Sequence, residues 1–180
     1  MATEEARNLI SKDSLLNNGN LLELVDGSET TLHSHVGGGF TSRCSVYLSG
    51  DQTISNGTVT VVEFDSENYD NDSEFNVSNH RFTPSVNGYY HISFIVYLDP
   101  PNLAVDFNAQ AFIALNDNID RRVTNRPALT STTLALSISI DLYLTTNDYI
   151  EGQIWTSDTS FDDATLKTGQ KTIMTIHRFA

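Results

Sequence analysis

The chain has 180 residues, 39% of them apolar and 9% aromatic, which is enough for one well-buried domain with a short appendage. Ten basic residues against 23 acidic ones give a net charge of −13, which disfavours contact with nucleic acid or an anionic bilayer. A single cysteine, Cys44, excludes an internal disulfide. We see no membrane-spanning run and no secretory signal, so we expect a soluble protein without membrane insertion.

Residues 1–39 are predicted to form a polar arm, and residues 40–180 a single domain. The arm has two short apolar patches, at residues 15–16 and 21–25, separated by turn-forming residues at 17–20. After a glycine run at 37–39, short segments of alternating polarity recur with turn signals between them. This pattern predicts an all-β sandwich or barrel rather than strand–helix–strand units.

Two predicted strands alternate most clearly. Residues 134–144 place their apolar side chains on one face. Residues 89–98 do the same, but their second face, which includes His91, Ile95 and Tyr97, is too apolar for open water, so we expect part of it to contact another subunit. Further strands are predicted at residues 40–48, 58–64, 81–84, 107–115, 149–155 and 171–179, with tight turns at the Asn-Gly pairs 56–57 and 87–88. About eight strands are typical of a jelly roll.

Residues 62–94 carry the most informative motif. Val62-Glu63-Phe64-Asp65 is followed by Asn68-Tyr69-Asp70, and then by Arg81-Phe82-Thr83-Pro84-Ser85-Val86-Asn87-Gly88-Tyr89-Tyr90-His91-Ile92-Ser93-Phe94. This run resembles the signature of the complement globular-head domain, within the tumour-necrosis-factor-like (TNF-like) jelly rolls, over about residues 40–180. The resemblance implies a jelly-roll sandwich that forms a compact homotrimer and serves binding rather than catalysis.

A second motif lies in the arm, where two histidines stand one residue apart. Residues 24–37 are similar to the segment that precedes trimeric knobs in bacteriophage fibres and related virion proteins. In an extended chain His33 and His35 point to the same side, about 6.5–7 Å apart. Three chains on a threefold axis would then place six imidazole nitrogens around one transition ion such as iron, nickel or zinc. The alternative is that both histidines are exposed loop residues.

An acidic stretch provides a second metal hypothesis. Asp70, Asp72 and Glu74, with two further carboxylates just before them, supply the oxygen ligands that calcium prefers. The stretch lacks the glycine of an EF-hand loop, and the alternative is a solvated acidic loop. Aromatic side chains are candidates either for a sugar-binding platform or for core and subunit-interface positions: Tyr47, Tyr69, Tyr97, Tyr143 and Trp155.

Enzymatic motifs are absent from the sequence. It contains no G-x-S-x-G, H-E-x-x-H or G-x-x-x-x-G-K. Nothing near Cys44 would lower its pKa. His80, His91 and His177 lie in or beside predicted strands, without a serine or cysteine partner that the sequence identifies. We therefore expect a protein that is not an enzyme.

Together these patterns predict a trimeric virion structural protein, either a capsid decoration or cement protein or a short fibre or tail knob. The arm would bind capsid or tail proteins, and the jelly roll would face a host glycan or surface protein. The alternative function is a soluble carbohydrate-binding or adhesion module of bacterial origin.

Overall fold

A computed structural model of the chain describes residues 41–100, 107–118, 123–127, 133–157, 162–168 and 171–180. The predicted arm, with His33 and His35, lies outside these residues. The described residues form strands β1 (Arg43–Tyr47), β2 (Gln52–Ile54), β3 (Thr60–Val61), β4 (Ser66–Asp70), β5 (Phe75–Asn76), β6 (Arg81–Phe82), β7 (Gly88–Asp99), β8 (Asn108–Leu115), β9 (Val123–Pro127), β10 (Leu134–Leu144), β11 (Ile150–Ser157), β12 (Ala164–Leu166) and β13 (Ile173–Arg178).

The strands form two antiparallel sheets. In the first sheet, β7 pairs with β10 on one side and with β13 and β12 on the other, and β1, β4 and β2 extend the sheet beyond them. The second sheet has the order β5-β6-β11-β8-β9, and β3 also pairs with β11. The all-β prediction is confirmed. Within the described ranges, no helix is long and apolar enough to cross a membrane.

The core lies between the sheets because each long strand turns alternate side chains inward. In β7 the inward side chains, which include Tyr90 and Phe94, are fully buried. Phe94 packs edge-on against Phe64, with 6.0 Å between ring centroids. Opposite them, Gly152 leaves space for the rings, since a Cβ atom there would lie 3.0 Å from Cζ of Phe94. The close approach of ring and backbone therefore requires a glycine in the middle of β11.

Several predicted strand limits are wrong. Residues 58–64 form only the two-residue β3, because the chain turns where the Phe64 amide donates to the Val62 carbonyl at 2.9 Å. Residues 40–48 are reduced to β1 within the described part. The described residues form thirteen strands instead of about eight, because short strands such as β5, which directly follows the predicted acidic stretch, extend the sheets.

The two Asn-Gly pairs behave differently. Gly57 lies in a turn with φ of 74°, as the sequence predicts. The turn predicted at residues 87–88 is wrong, since Gly88 is the first residue of β7. A Cβ atom at Gly88 would collide with the Ala180 carbonyl oxygen and the Arg178 side chain. This glycine is therefore needed for close packing of the end of the chain.

Candidate functional site

The first sheet turns a broad surface away from the second sheet, formed by outward side chains of β10, β7, β13 and β1. We call this surface the outer face. Because the strands pair in register, its side chains form rows that run across the strands. Three successive rows are the aromatic row (Tyr143, Tyr89, Phe179), the imidazole row (Asp141, His91, His177, Arg43) and the hydroxyl row (Ser139, Ser93, Thr175, Ser45).

The aromatic row is a contiguous exposed cluster. Tyr89, Tyr143 and Phe179 are 50%, 53% and 42% exposed. The Tyr89 ring lies 5.1 Å from the Tyr143 ring and 6.1 Å from the Phe179 ring, measured between centroids. Rings that contact each other and water on the same surface are characteristic of binding interfaces. Beyond the hydroxyl row, half-buried Ile95 and Ile173 extend the apolar surface.

The imidazole row connects four strands. His91 Nδ1 lies 2.6 Å from an Asp141 carboxylate oxygen, and His91 Nε2 lies 2.9 Å from Ser139 Oγ. On the other side of His91, the His177 ring lies 5.2 Å away between centroids. Arg43 is the register partner of His177 on β1. The row therefore runs from a carboxylate through two imidazoles to a guanidinium.

The contacts of His91 connect a serine, a histidine and an aspartate, as in an activated nucleophile. Neither Ser139 nor Asp141 was predicted as a partner of His91. Ser139 and Asp141 lie on an unbroken antiparallel ladder with β7, without the sharp turn that exposes a nucleophile above a substrate pocket. Asp141 is 60% exposed, so water weakens its electrostatic effect on the imidazole. We therefore interpret this connectivity as part of a polar row across the sheet.

The predicted calcium ligands are hydrogen-bonded to the protein. Glu74, 5% exposed, accepts from the Ser85 amide and hydroxyl at 2.6 Å each, and from the Ser42 hydroxyl. Asp72 accepts from Thr41 Oγ1 at 2.9 Å. Asp70 accepts from the Phe75 amide at 2.7 Å, while its other oxygen is buried without a hydrogen-bond partner.

In the described part of the chain, no three His, Cys, Asp or Glu side chains are grouped so that they could hold a metal ion. Calcium binding by Asp70, Asp72 and Glu74 stays a prediction. The same holds for the transition ion, since His33 and His35 lie outside the described residues.

An open cleft of about 660 Å³ lies beside Glu74. Its lining is mainly hydroxyl, amide and apolar, with Glu74 as the only ionisable side chain. The lining residues are Ser73, Glu74, Phe75, Asn76, Val77, Asn79, Thr83, Pro84, Ser85 and Thr146. The cleft is a polar surface with one carboxylate, distinct from the outer face.

Two other candidate reactive groups are held in structural roles. Burial, together with the charges of Asp70, Glu67 and Glu74, raises the pKa of the Cys44 thiol far above its usual value, so Cys44 is a packed side chain rather than a thiolate nucleophile. The His80 ring nitrogen Nδ1 lies 3.0 Å from the Phe64 carbonyl oxygen. This contact ties the turn before β6 to the core.

The aromatic residues suggested as a platform are divided between the sheets. Three of them occupy outward positions on the first sheet: Tyr47, Tyr97 and Tyr143. Tyr69 lies exposed on β4 of the same sheet, whereas Trp155 lies on β11 in the second sheet. Tyr89 and Phe179, which the platform did not include, complete the aromatic row.

Comparison with known proteins supports the fold. No family model and no curated protein matches the sequence. Among solved structures, the globular domain of zebrafish complement 1qA protein matches with a TM-score of 0.57 and 13% identity, over 78% of this chain and 98% of that one. Murine APRIL at pH 5.0 matches with a TM-score of 0.56 and 12% identity, over 77% of this chain and 98% of that one. Eiger TNF from S. frugiperda matches with a TM-score of 0.53 and 11% identity, over 77% of this chain and 92% of that one. The fold is therefore a jelly roll of the complement-head and TNF type.

Proposed function

We propose that the protein is a non-enzymatic binding module that assembles as a homotrimer through the outer face of the first sheet. The observation that carries the proposal is the aromatic row, three contacting rings that are each about half exposed on the surface of a regular sheet. Burying such rings against a partner stabilises an interface more than scattered apolar contacts do.

Charge favours a second copy of the same chain as the partner. Two chains with a net charge of −13 each repel one another, so they associate best where few carboxylates meet. In the three rows the only permanently charged side chains are Asp141 and Arg43, which have opposite signs and stand about 14 Å apart across three strand spacings. The three rows therefore carry no net permanent charge, and two copies can associate through them without an excess of carboxylates at the contact.

The size of the outer face also suits a stable assembly. The paired length of β7 and β10 spans about 37 Å, whereas the shorter strands β13 and β1 span about 20 and 17 Å. With about 4.8 Å per strand, the surface covers about 530 Å², of the same order as the roughly 800 Å² that each partner contributes to a typical specific interface. Threefold symmetry is what the sequence resemblance implies.

A role in a virion is the more specific part of the proposal and is supported by the arm sequence. In this role residues 1–39 bind a capsid or tail protein, His33 and His35 hold one transition ion on the threefold axis, and the jelly roll is presented to the host surface. Elemental analysis of the purified chain should find about one iron, nickel or zinc ion per three chains. A metal-free preparation, or metal content unchanged in the H33A/H35A variant, would contradict the metal site.

The polar cleft beside Glu74 favours carbohydrate binding as a second candidate function. Its amides and hydroxyls match the hydrogen-bonding groups of an uncharged sugar, and its volume of about 660 Å³ falls in the range of small-ligand sites. The test is a panel of glycans. A sugar that raises the melting temperature of the wild type but not that of the Asn79→Ala variant would support this function.

The proposed assembly is tested with two matched variants. Ser93→Arg introduces a cation into the centre of the hydroxyl row and should disperse the assembly, because an unpaired charge is costly to desolvate. Ser78→Arg makes the same change in an exposed turn and should leave the assembly intact. Size-exclusion chromatography with light scattering measures both. Equal masses for Ser93→Arg and the wild type would contradict assembly through the outer face.

A further inference from the structure

We propose that acidification dissociates the assembly through protonation of His177 in the imidazole row. This inference rests on the proposed association through the outer face, since only a second copy covering that face removes the imidazoles from water. Histidine is the side chain that ordinarily changes charge between about pH 5 and 8. Because His177 lies within the proposed interface, a change in its charge makes the stability of that interface dependent on pH.

The neighbours of the two imidazoles on the adjacent strands differ in charge. His91 contacts the Asp141 carboxylate at 2.6 Å, so protonation of His91 creates an internal ion pair. His177 lies between His91 on β7 and Arg43 on β1. A proton on His177 therefore places a positive charge between a second imidazole and a guanidinium.

The remaining side chains around His177 do not offset that charge. On the aromatic row its neighbours are Tyr89 of β7 and Phe179, and Tyr143 follows on β10. On the hydroxyl row Thr175 and Ser93 are neutral. The nearest carboxylate in the rows, Asp141, belongs to β10 and already contacts His91. Exposed His177 is solvated in the separate chain and loses that solvation when a second copy covers it.

The sign of this effect is opposite to that of the whole-chain charge. Acidification reduces the net charge of −13 and thereby weakens the general repulsion between copies, which by itself favours association. Dissociation through the outer face at low pH therefore requires a local group, and of the two histidines on this face His177 is the one whose protonated form is not compensated.

The test compares the full-length wild type with two histidine variants by light scattering across a dilution series, at about pH 8 and about pH 5.5. The dissociation constant of the wild type should rise at least about tenfold at the lower pH, and that of His177→Gln by less than about threefold. His80→Gln is the matched control, because His80 contacts the Phe64 carbonyl away from the outer face. It should behave as the wild type does.

Each result bears on a different claim. Wild-type assembly that is equally stable at both pH values, or His177→Gln that dissociates together with the wild type, overturns the role of His177. A wild type that is monomeric even at about pH 8 overturns the proposed assembly itself. His177 is exposed in the separate chain, so the substitution leaves the fold intact. Circular dichroism and thermal unfolding at about pH 8 verify this.

Discussion

Gly152→Ala tests the packing that brings β11 against the aromatic core. The added Cβ atom would lie 3.0 and 3.1 Å from two ring carbons of Phe94 and 3.3 Å from one of Phe64. Both rings are fully buried and hold each other edge-on, so neither can move without disturbing further core contacts. Overpacking of this kind costs about 1–3 kcal/mol, which corresponds to a loss of about 2–12 °C in melting temperature for a chain of this size.

The assay is thermal unfolding at one fixed protein concentration, because association makes the melting temperature depend on concentration. Gly50→Ala is the control, since a Cβ atom there would meet nothing within 4 Å and should change the stability by less than about 0.5 kcal/mol. Adding Phe94→Leu should recover part of the Gly152→Ala loss, because the smaller side chain relieves the contact. If Gly152→Ala melts within a degree of the wild type, the described packing is wrong.

Three further predictions concern the outer face, the buried carboxylate and pH. Tyr89→Ser should weaken assembly by about 2.5 kcal/mol per contact, since its exposed half presents about 100 Å² for burial; an unchanged dissociation constant by sedimentation would contradict this. Glu74→Ala should lower the stability by about 1–3 kcal/mol, because it leaves the buried Ser42 hydroxyl without its acceptor, and urea unfolding measures the loss. The side-chain amide of Asn116 and the Thr145 amide lower the pKa of Asp148, so its stabilising effect is present at neutral pH and disappears as the pH falls below about 4 through the lowered pKa. Asp148→Asn should therefore melt lower than the wild type at neutral pH and at the same temperature in strong acid, and a constant difference would refute the assignment.

The long strands could be predicted from sequence because alternation alone determines them. The prediction of residues 134–144 matches β10, and that of 89–98 differs from β7 by one residue at each end. Local sequence patterns do not predict strand limits and turns that are determined by tertiary contacts. Val62 and Phe64 alternate like strand residues, yet the chain turns between them. Gly88 follows an asparagine, as in a hairpin turn. The structure instead requires a glycine there because the Ala180 carbonyl oxygen leaves no room for a Cβ atom.

The outer face was only partly predictable for a related reason. Alternation shows that His91 and Asp141 each point outward, but it does not show that β7 and β10 are neighbours. That pairing joins strands far apart in the chain, and its register is determined by packing of the whole sheet. The sequence therefore indicated a subunit contact near His91 but not the row that connects Asp141, His91, His177 and Arg43.

Native mass spectrometry of the full chain at micromolar concentration and about pH 8 tests the self-association most directly. We expect a species of three times the 19.9 kDa chain mass, about 60 kDa. A single species of 19.9 kDa would contradict it.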